Sequence, residues 1–441
     1  MLLLGVAVAV RVLVGGVLLA DWPITNDAAR YVNEAIDLAR SFERSEAYYF
    51  PAGMIWTLAA AYALLGSSTA VTRAVTIVLS VLAVPFVIRL TRELCTDPRA
   101  PRVAGWIAAL YPPSLLSSGY PGSQSLAYPT FVAAAALFFS AWRLRSSARA
   151  AAAGAILGIF SITRSSAFTV VLALGALWCA RLFLDQRRGA VDLRAKLGIG
   201  VAALAAWIAV ISPVLVHHWR LGEGLTLATC DAWNVFVGNN PYTPLYRTGY
   251  LAHKNPSTFP PHVALYVAEF EDSPVDPRGA MRREALRYMR EHPWATALRT
   301  VNRARAFWGF DHATSTLIQR GLGLTDIQLG GLLLLEAGGY AAIAVLALLA
   351  VFIARDRLRL ENVGVVLLMI GSYQVAFMLA FAHSNFHVPV MPLLMPLAAA
   401  SLSRLGEDRG TALLRSRGPW IALAAFAAVQ IEYGYFALLY R

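Results

Sequence analysis

Long apolar runs recur along the whole chain, and they limit its fold more than any other feature. Their length, roughly 17 to 25 residues, is what a helix needs to cross about 30 Å of hydrocarbon. Backbone polar groups inside lipid must be satisfied within their own segment, so these runs are predicted to be helices. Of the 441 residues, 58% are hydrophobic and only 15% are charged, too apolar for a water-soluble protein of this length. We therefore predict an all-α polytopic membrane protein.

The runs define about eleven transmembrane helices, with boundaries placed to within a few residues. They cover 1–20, 69–90, 103–118, 126–142, 148–162, 167–183, 197–217, 329–354, 363–382, 388–403 and 420–440. A further stretch, 51–66, is short for a span and is predicted to be a juxtamembrane or re-entrant helix. The first run could instead be a cleaved signal peptide. Because Arg11 interrupts it and no basic segment precedes it, a retained span is expected.

Basic residues mark alternate connections between the spans, as the positive-inside rule requires. They are Arg89, Arg92, Arg99 and Arg102; Arg143, Arg145 and Arg149; Arg181, Arg187, Arg188, Arg194 and Lys196; Arg355, Arg357 and Arg359; and Arg404, Arg409, Arg415 and Arg417. The short connections 119–125 and 383–387 carry no Lys or Arg. This alternation predicts a cytoplasmic N-terminus, an outer Arg441 and two long outer segments, 21–68 and 219–328.

The net charge of +12 does not indicate nucleic-acid binding, because the basic residues lie at the ends of spans. There they orient helices and contact the lipid bilayer or phosphates. Arginines along 278–305 suit an amphipathic helix that faces water or phosphate. The cysteines, Cys95, Cys179 and Cys230, show no metal-ligand spacing, and their odd number gives no disulfide framework.

The first outer segment contains the carboxylate at which we expect the chemistry. After Thr25 or Asn26 as a cap, residues 27–40 place apolar and polar side chains at helical spacing. Such an amphipathic helix should lie on the outer membrane interface. Asp27 occupies its first turn, where the helix dipole favours a carboxylate. A purely structural role at the helix start is the alternative.

Several polar residues are predicted to converge on the same rim of the membrane. Besides Asp27 they are Gln124, Arg164, Asp231, Asn234, Asn239, Asn240, His383, Asn385 and His387. Arg164 stands alone between two apolar helices, so it should have a partner. A lipid phosphate is one candidate, and snorkelling to headgroups is the other. His383 and His387 are four residues apart, but Pro389 follows and no acidic ligand is adjacent, which favours hydrogen bonding over a metal.

A series of short motifs in these segments resembles the GT-C class of integral membrane glycosyltransferases, which includes protein O-mannosyltransferases and aminoarabinose transferases. The resemblance covers nearly the whole chain. Its motifs occupy 26–35 (NDAARYVNEA), 49–53 (YFPAG), 154–158 (GAILG) continuing to Thr163 and Arg164, 236–241 (FVGNNP), 291–294 (EHPW) and 387–392 (HVPVMP). Each motif is weak alone, and their order and spacing make the resemblance fairly specific.

The resemblance implies a bacterial cell-envelope enzyme with one GT-C domain over 1–441, working on the outer face of the plasma membrane. The donor would be a polyprenyl-phosphate-linked sugar and the acceptor a hydroxyl of a lipid, glycan or protein. Asp27 maps onto the family's catalytic acidic residue, acting as base in an inverting transfer. Arg164, Arg303 and Arg305 would bind the phosphate. The implied substrate pocket comprises Asn26, Tyr31, Tyr49, Gln124, Asn239, Asn240, His383 and His387.

Three departures from the family pattern narrow this expectation. Gln124 stands where many relatives have an acidic residue, His387 where many have Arg, and Tyr49-Phe50 replaces an acidic-basic pair before Pro51. The first and third changes argue against a family-type metal site, and the third argues against aminoarabinose as the sugar. We therefore assign no metal ligand and no certain cofactor; a divalent cation stays open. No separate soluble C-terminal domain is expected, which favours a lipid or small glycan as acceptor.

Two other classes are compatible with many spans and a polar rim. A lipid or small-molecule transporter or flippase is the main alternative, but transporters usually place charged or broken helices near the midplane and show repeated halves. Here the charges lie at one rim and no internal repeat is found. A non-catalytic assembly partner would not need Asp27, so the presence of that carboxylate favours an enzyme.

Overall fold

The chain folds into a bundle of helices. The structure, a computed structural model, describes residues 1–187, 193–245, 258–271, 273, 276–405, 407 and 416–439. In these residues the only β contact is an isolated bridge between Cys95 and Leu358. The α-helices are α1 Leu2–Arg11, α2 Asn26–Ser41, α3 Gly53–Leu65, α4 Thr69–Leu94, α5 Ala100–Leu110, α6 Pro112–Leu116, α7 Ser123–Leu144, α8 Ser147–Ser161, α9 Ala167–Arg187, α10 Leu193–Arg220, α11 Cys230–Gly238, α12 Pro261–Glu271, α13 Pro277–Glu291, α14 Pro293–Phe307, α15 Ala313–Leu322, α16 Asp326–Ile353, α17 Leu360–Leu379, α18 Met391–Leu405 and α19 Arg417–Leu439. A π-helix, Val12–Leu18, continues α1, and a 3-10 helix, Ser384–Val390, precedes α18.

Seven of the described helices are long and apolar enough to cross a membrane. They are Thr69–Leu94, Ser123–Leu144, Ala167–Arg187, Lys196–Arg220, Asp326–Ile353, Leu360–Leu379 and Ser384–Leu405. Shorter apolar helices cover Leu2–Leu18, Gly53–Leu65 and Ser147–Ser161. The prediction of an all-α, multi-pass membrane protein is confirmed at this level. The count of eleven spans stays a prediction, as does the division into outer segments.

The predicted span 103–118 is broken in the structure, and the sequence gives the reason. α5 ends at Leu110, and Tyr111 adopts an extended conformation before Pro112. Proline lacks an N–H and disfavours helical geometry in the residue before it. The carbonyls of the last turn of α5 are satisfied from another helix, because Arg11 donates to Ala108 O at 3.0 Å and Ala109 O at 2.8 Å.

Ion pairs tie together the connections at one end of the bundle. Glu93 accepts from Arg143 at 3.0 Å, and Arg357 reaches both Asp97 at 2.7 Å and Glu407 at 2.6 Å. These are connections that the charge alternation assigned to one side. The side of the membrane on which this end lies stays a prediction, and Arg188, Arg409, Arg415 and Arg441 of that prediction fall outside the described residues.

The core is built mainly from α4, α5, α7, α16, α17 and α18. α18 is buried along most of its length, and alanines such as Ala398 let the neighbouring helices approach closely. Aromatic rings fill the space between α7 and α8, where Phe131 stacks on Phe160 at a centroid distance of 4.4 Å. This rigid core carries, at the end opposite the ion pairs, the segments that form a large cavity.

Candidate active site

The cavity has a volume of about 1120 Å³ and is walled by segments that lie between Trp22 and Val388 in the chain. α7 runs from it, at Ser123, to the ion-paired end at Arg143, and α17 runs the opposite way. Its walls are the start of α2, the segment before α3, the connection into α7, the turn between α8 and α9, α11, the start of α15 and the end of α17. A cavity of this size holds a ligand larger than a typical small molecule.

Asp27 lies on the cavity wall in the first turn of α2. The preceding Asn26 has φ of +54°, a left-handed conformation that asparagine tolerates better than most residues. α2 is anchored by Tyr31, whose buried ring stacks on Phe50 at 5.1 Å. The Asp27 side chain is exposed to the cavity, yet burial by the surrounding walls raises its pKa, with Arg30 and Arg164 acting in the opposite direction.

Arg30 has partners of its own. Its Nε donates to Glu34 at 2.8 Å, one helical turn away, and its guanidinium lies 4.3 Å from the centre of the Tyr49 ring. Tyr49 also lines the cavity and meets Phe50 edge-on. Arg30 therefore already has an ion-pair partner and an aromatic neighbour. Arg164, the second cation near Asp27, lacks a hydrogen-bond partner at its Nε and Nη2 atoms among the described residues.

Arg164 projects from the tight turn between α8 and α9. The turn is held by the backbone, because Gly53 N donates to Ile162 O at 2.7 Å and a side chain at Gly53 would collide with Thr163. The Nε and Nη2 atoms of Arg164 are buried and have no hydrogen-bond partner among the described residues. Its guanidinium lies 5.5 Å from the Phe386 ring. Because buried donors are nearly always satisfied in native proteins, these two N–H groups stand out as donors that are available to a ligand of the cavity.

Two further carboxyl groups line the cavity: Asp231, which was predicted to lie on this rim, and Asp311, which was not among the predicted residues. Asp231, in the first turn of α11, accepts a hydrogen bond from Ser165 Oγ at 2.8 Å. Burial raises the pKa of Asp231 to about 6, although Ser165 and Arg282 act in the opposite direction. Asp311, just before α15, is 2% exposed. In the sequence it resembles an ordinary residue near a helix start, so only its position in the fold could reveal it.

Ten of the predicted residues are brought together on this cavity wall. They are Asn26, Asp27, Tyr31, Tyr49, Gln124, Arg164, Asp231, Asn234, His383 and Asn385. They come from six separate segments of the chain, and their roles stay a proposal. The structure adds Ser123, Ser165 and Ser166 as hydroxyl donors on the same wall.

Arg303 and Arg305, predicted to bind phosphate, do not line the cavity. Arg303 is 1% exposed and donates to the carbonyls of Met378 and Leu379, both at 3.1 Å, as well as to Gly238. It therefore satisfies helix-end carbonyls of α11 and α17. Arg305 forms an ion pair with Glu432 of α19. Both guanidinium groups thus contact the protein itself. We therefore remove Arg303 and Arg305 from the expected phosphate site, which leaves Arg164.

Asn239, Asn240 and His387 also lie outside the cavity wall. Asn239 donates to Leu379 O and Asn240 to Phe236 O, both at 2.9 Å, so both asparagines fasten the end of α11. His387 is 1% exposed and its Nδ1 lies 2.7 Å from Phe307 O. These contacts are structural, which corrects the predicted substrate pocket at three positions.

The divalent cation that the sequence left open stays a prediction. Among the residues that the structure describes, no three His, Cys, Asp or Glu side chains are grouped closely enough to share an ion. His387 faces a backbone carbonyl rather than His383. We therefore derive no step through a metal.

With the geometry in place, comparison with known proteins identifies the fold. No protein-family model and no curated protein sequence matches the chain. Among solved structures it is similar to the Archaeoglobus fulgidus oligosaccharyltransferase tethered with an acceptor peptide containing the NVT sequon, with a TM-score of 0.50 and 15% sequence identity. The match covers 98% of this chain and 54% of that one, so the chain spans about half the length of the archaeal enzyme. The chain therefore shares the fold of this enzyme, a GT-C glycosyltransferase, and the fold expected from the resemblance is confirmed.

Proposed function

We propose that the protein is a membrane glycosyltransferase that moves a sugar from a polyprenyl-phosphate-linked donor to a hydroxyl acceptor. One observation carries this proposal. The same large cavity is lined by the exposed carboxylate of Asp27 and by Arg164, whose buried N–H groups have no partner among the described residues. The GT-C fold supports the reaction class. We place the site on the outer face of the plasma membrane, because its connections belong to the non-basic set of the charge alternation.

The donor phosphate would lie against Arg164, whose planar guanidinium suits phosphate oxygens. Next to it the cavity wall becomes apolar, with Phe168 at the start of α9 and Ala376 and Phe377 near the end of α17. Both helices are long enough to cross the membrane, and α9 buries little of its surface within the protein. This wall suits the first units of a polyprenyl chain that enters from the bilayer.

Asp27 would act on the acceptor. Its ionised carboxylate accepts the proton of the attacking hydroxyl while the acceptor oxygen bonds to the anomeric carbon. The bond between that carbon and the phosphate oxygen breaks, and the electron pair leaves with polyprenyl phosphate. Arg164 stabilises the charge that develops on the leaving group. Attack from the side opposite the phosphate inverts the anomeric configuration.

Donor binding tests the role of Arg164 without knowledge of the acceptor. Purified protein is titrated with polyprenyl monophosphate, with phosphatidylglycerol as competitor, and complexes are counted by native mass spectrometry. Arg164→Ala should weaken binding by roughly 10-fold or more, the loss expected for a charged hydrogen-bonded pair. Arg92→Ala is the matched control, because Arg92 is exposed at the other end of α4 from the cavity. Equal binding by wild type and Arg164→Ala would contradict the phosphate site.

Transfer itself is tested in proteoliposomes supplied with polyprenyl-phosphate-linked hexose or pentose carrying a labelled sugar. Membrane lipid, glycan and protein fractions are offered as acceptors. The proposal expects label on one of these fractions and release of polyprenyl phosphate. Movement of the intact donor across the bilayer, with its sugar–phosphate bond preserved, would favour a flippase instead.

A further inference from the structure

Two buried carboxyl groups interact electrostatically at the cavity wall. Glu336, in the middle of α16, is 0% exposed, and Asp311 is 2% exposed and belongs to the cavity wall. In the described part of the chain neither carboxyl group forms an ion pair with Lys or Arg. Two negative charges so close together in a poorly solvated place repel each other strongly, so one of the groups should hold a proton.

The contacts decide which group carries the negative charge. The two oxygens of Glu336 accept backbone N–H groups at the start of α15, from Thr314 at 3.0 Å and from Ser315 at 2.7 Å. Glu336 thus caps α15 from a distance, where two N–H donors and the helix dipole stabilise a carboxylate. A proton on Glu336 would turn one of these two acceptor oxygens into a hydroxyl and weaken its contact with the N–H group, so the charge belongs on Glu336.

Asp311 has the opposite environment. Its Oδ1 has no hydrogen-bond partner among the described residues. The titratable groups that face it are Glu336 and Tyr340 of α16, Tyr111 before α6 and Tyr433 of α19. Burial, and then the charge of Glu336, raise the pKa of Asp311 well above its usual range, and the N–H groups of His312 and Ala313 act less strongly in the other direction.

We propose that Asp311 is a neutral carboxylic acid that donates a hydrogen bond from Oδ1 to an oxygen atom of the bound substrate. The identity of that oxygen rests on the proposed function: it belongs either to the donor phosphate or to a sugar hydroxyl. Asp27 and Asp311 would then share one cavity in opposite states, one accepting protons and the other donating a hydrogen bond.

This difference is open to a direct test by substitution. Asparagine has the shape of aspartic acid and an N–H₂ group that donates, but it cannot accept a proton from the acceptor. Asp311→Asn should therefore keep the hydrogen bond to the substrate, and Asp311→Ala should lose it. Asp27→Asn, in contrast, should greatly slow transfer, because the negative charge of Asp27 is required to accept the proton of the acceptor hydroxyl.

The protonation state is measured first, on purified protein without substrate. Infrared difference spectra between wild type and Asp311→Asn should show, at neutral pH, the carbonyl stretch of a protonated carboxylic acid that is absent from the variant. Glu336→Gln should lower the pH at which this band disappears. A wild-type spectrum without the band at neutral pH would overturn the proposal. This measurement depends neither on transfer nor on the identity of the donor.

Substrate contact is measured next with two probes, polyprenyl monophosphate and polyprenyl-phosphate-linked hexose. Asp311→Asn should bind both within about 3-fold of wild type, whereas Asp311→Ala should lose roughly 5- to 10-fold, the effect of one hydrogen bond. A loss with both probes assigns the contact to phosphate, and a loss with the sugar-linked probe alone assigns it to a sugar hydroxyl. An equal loss in Asp311→Asn and Asp311→Ala would overturn the contact. Failure of wild type to bind either probe counts against the proposed function, while the infrared result stands by itself.

Discussion

The two ends of the helix bundle differ in how their charged side chains are paired. At one end, arginines and carboxylates of different connections pair with each other, as Arg357 does with Asp97 and Glu407. At the other end, the Asp27 carboxylate is exposed to the cavity, and Arg164 has buried N–H groups without a partner among the described residues. The first arrangement fastens helices together. The second leaves binding capacity unused, which is expected where a ligand is to be held.

Buried arginines elsewhere in the bundle sharpen this contrast. Arg11 is fully buried yet donates to carbonyls and hydroxyls on three other segments of the chain. Arg73 donates to Leu19 O and Ala20 O, both at 2.8 Å. Arg299 and Arg303 each keep an N–H group without a described partner, but both donate to backbone carbonyls. Arg164 differs from them because it lines the cavity while its Nε and Nη2 atoms have no partner among the described residues.

The largest effect is expected from Asp27→Asn. Removing the proton acceptor should lower the transfer rate by about 10²- to 10⁴-fold, with little change in thermal stability because the side chain faces the cavity. Initial rates with labelled donor measure the loss. Asp37→Asn, an exposed position on the same helix, serves as control and should keep full activity. Retention of activity by Asp27→Asn would remove the base from the mechanism.

The next effect concerns the ion-paired end. Arg357→Ala leaves Asp97, whose side chain is 4% exposed, without its cation. The free energy of unfolding in detergent should fall by about 2 to 4 kcal/mol, as when one partner of a buried pair is removed, while donor binding at the distant cavity is unchanged. Denaturant-induced unfolding followed by tryptophan fluorescence gives the difference. A stability equal to that of wild type would mean that these pairs do not fasten the bundle.

A smaller effect should appear in the pH dependence of stability. Asp231 holds its proton more tightly in the folded protein, with a pKa of about 6 against 3.8 in an unfolded chain. Stability from this group is complete below pH about 4 and is lost as the pH rises through about 6, by at most about 2 to 3 kcal/mol. Asp231→Asn should flatten this slope, and Asp37→Asn should leave it. A slope that is the same in wild type and Asp231→Asn would contradict the burial of this carboxyl.

The smallest effect is expected from Arg164→Met, which keeps the length of the side chain and removes its charge. Because the buried N–H groups of Arg164 have no described partner, the free energy of unfolding should change by less than about 1 kcal/mol. The matched change Arg303→Met should destabilise the protein clearly, since it leaves several carbonyls without a donor. Thermal unfolding of the two variants side by side tests the comparison directly. A loss in Arg164→Met as large as that in Arg303→Met would indicate a structural arginine.

Sequence patterns were sufficient to predict the class of the fold and the grouping of several site residues. Hydropathy alone predicts membrane helices, and the alternation of basic connections places Asp27, Gln124, Arg164 and His383 at one end. The assignments that needed correction depend on contacts between distant segments. Nothing in the pattern of arginines along 293–307 distinguishes a side chain that faces phosphate from one that satisfies carbonyls of α11 and α17.

The sequence by itself determined that the chain is a helical membrane protein with a carboxylate and an isolated arginine on the same rim, because hydrophobic length and charge position are local properties. Only the tertiary structure decided which polar groups remain available to a ligand. Arg303 is satisfied by carbonyls from two other helices, Arg164 is not, and Asp311 becomes distinctive only beside Glu336. Hydrogen-bond satisfaction depends on which segments meet in space, and that information is absent from any single segment.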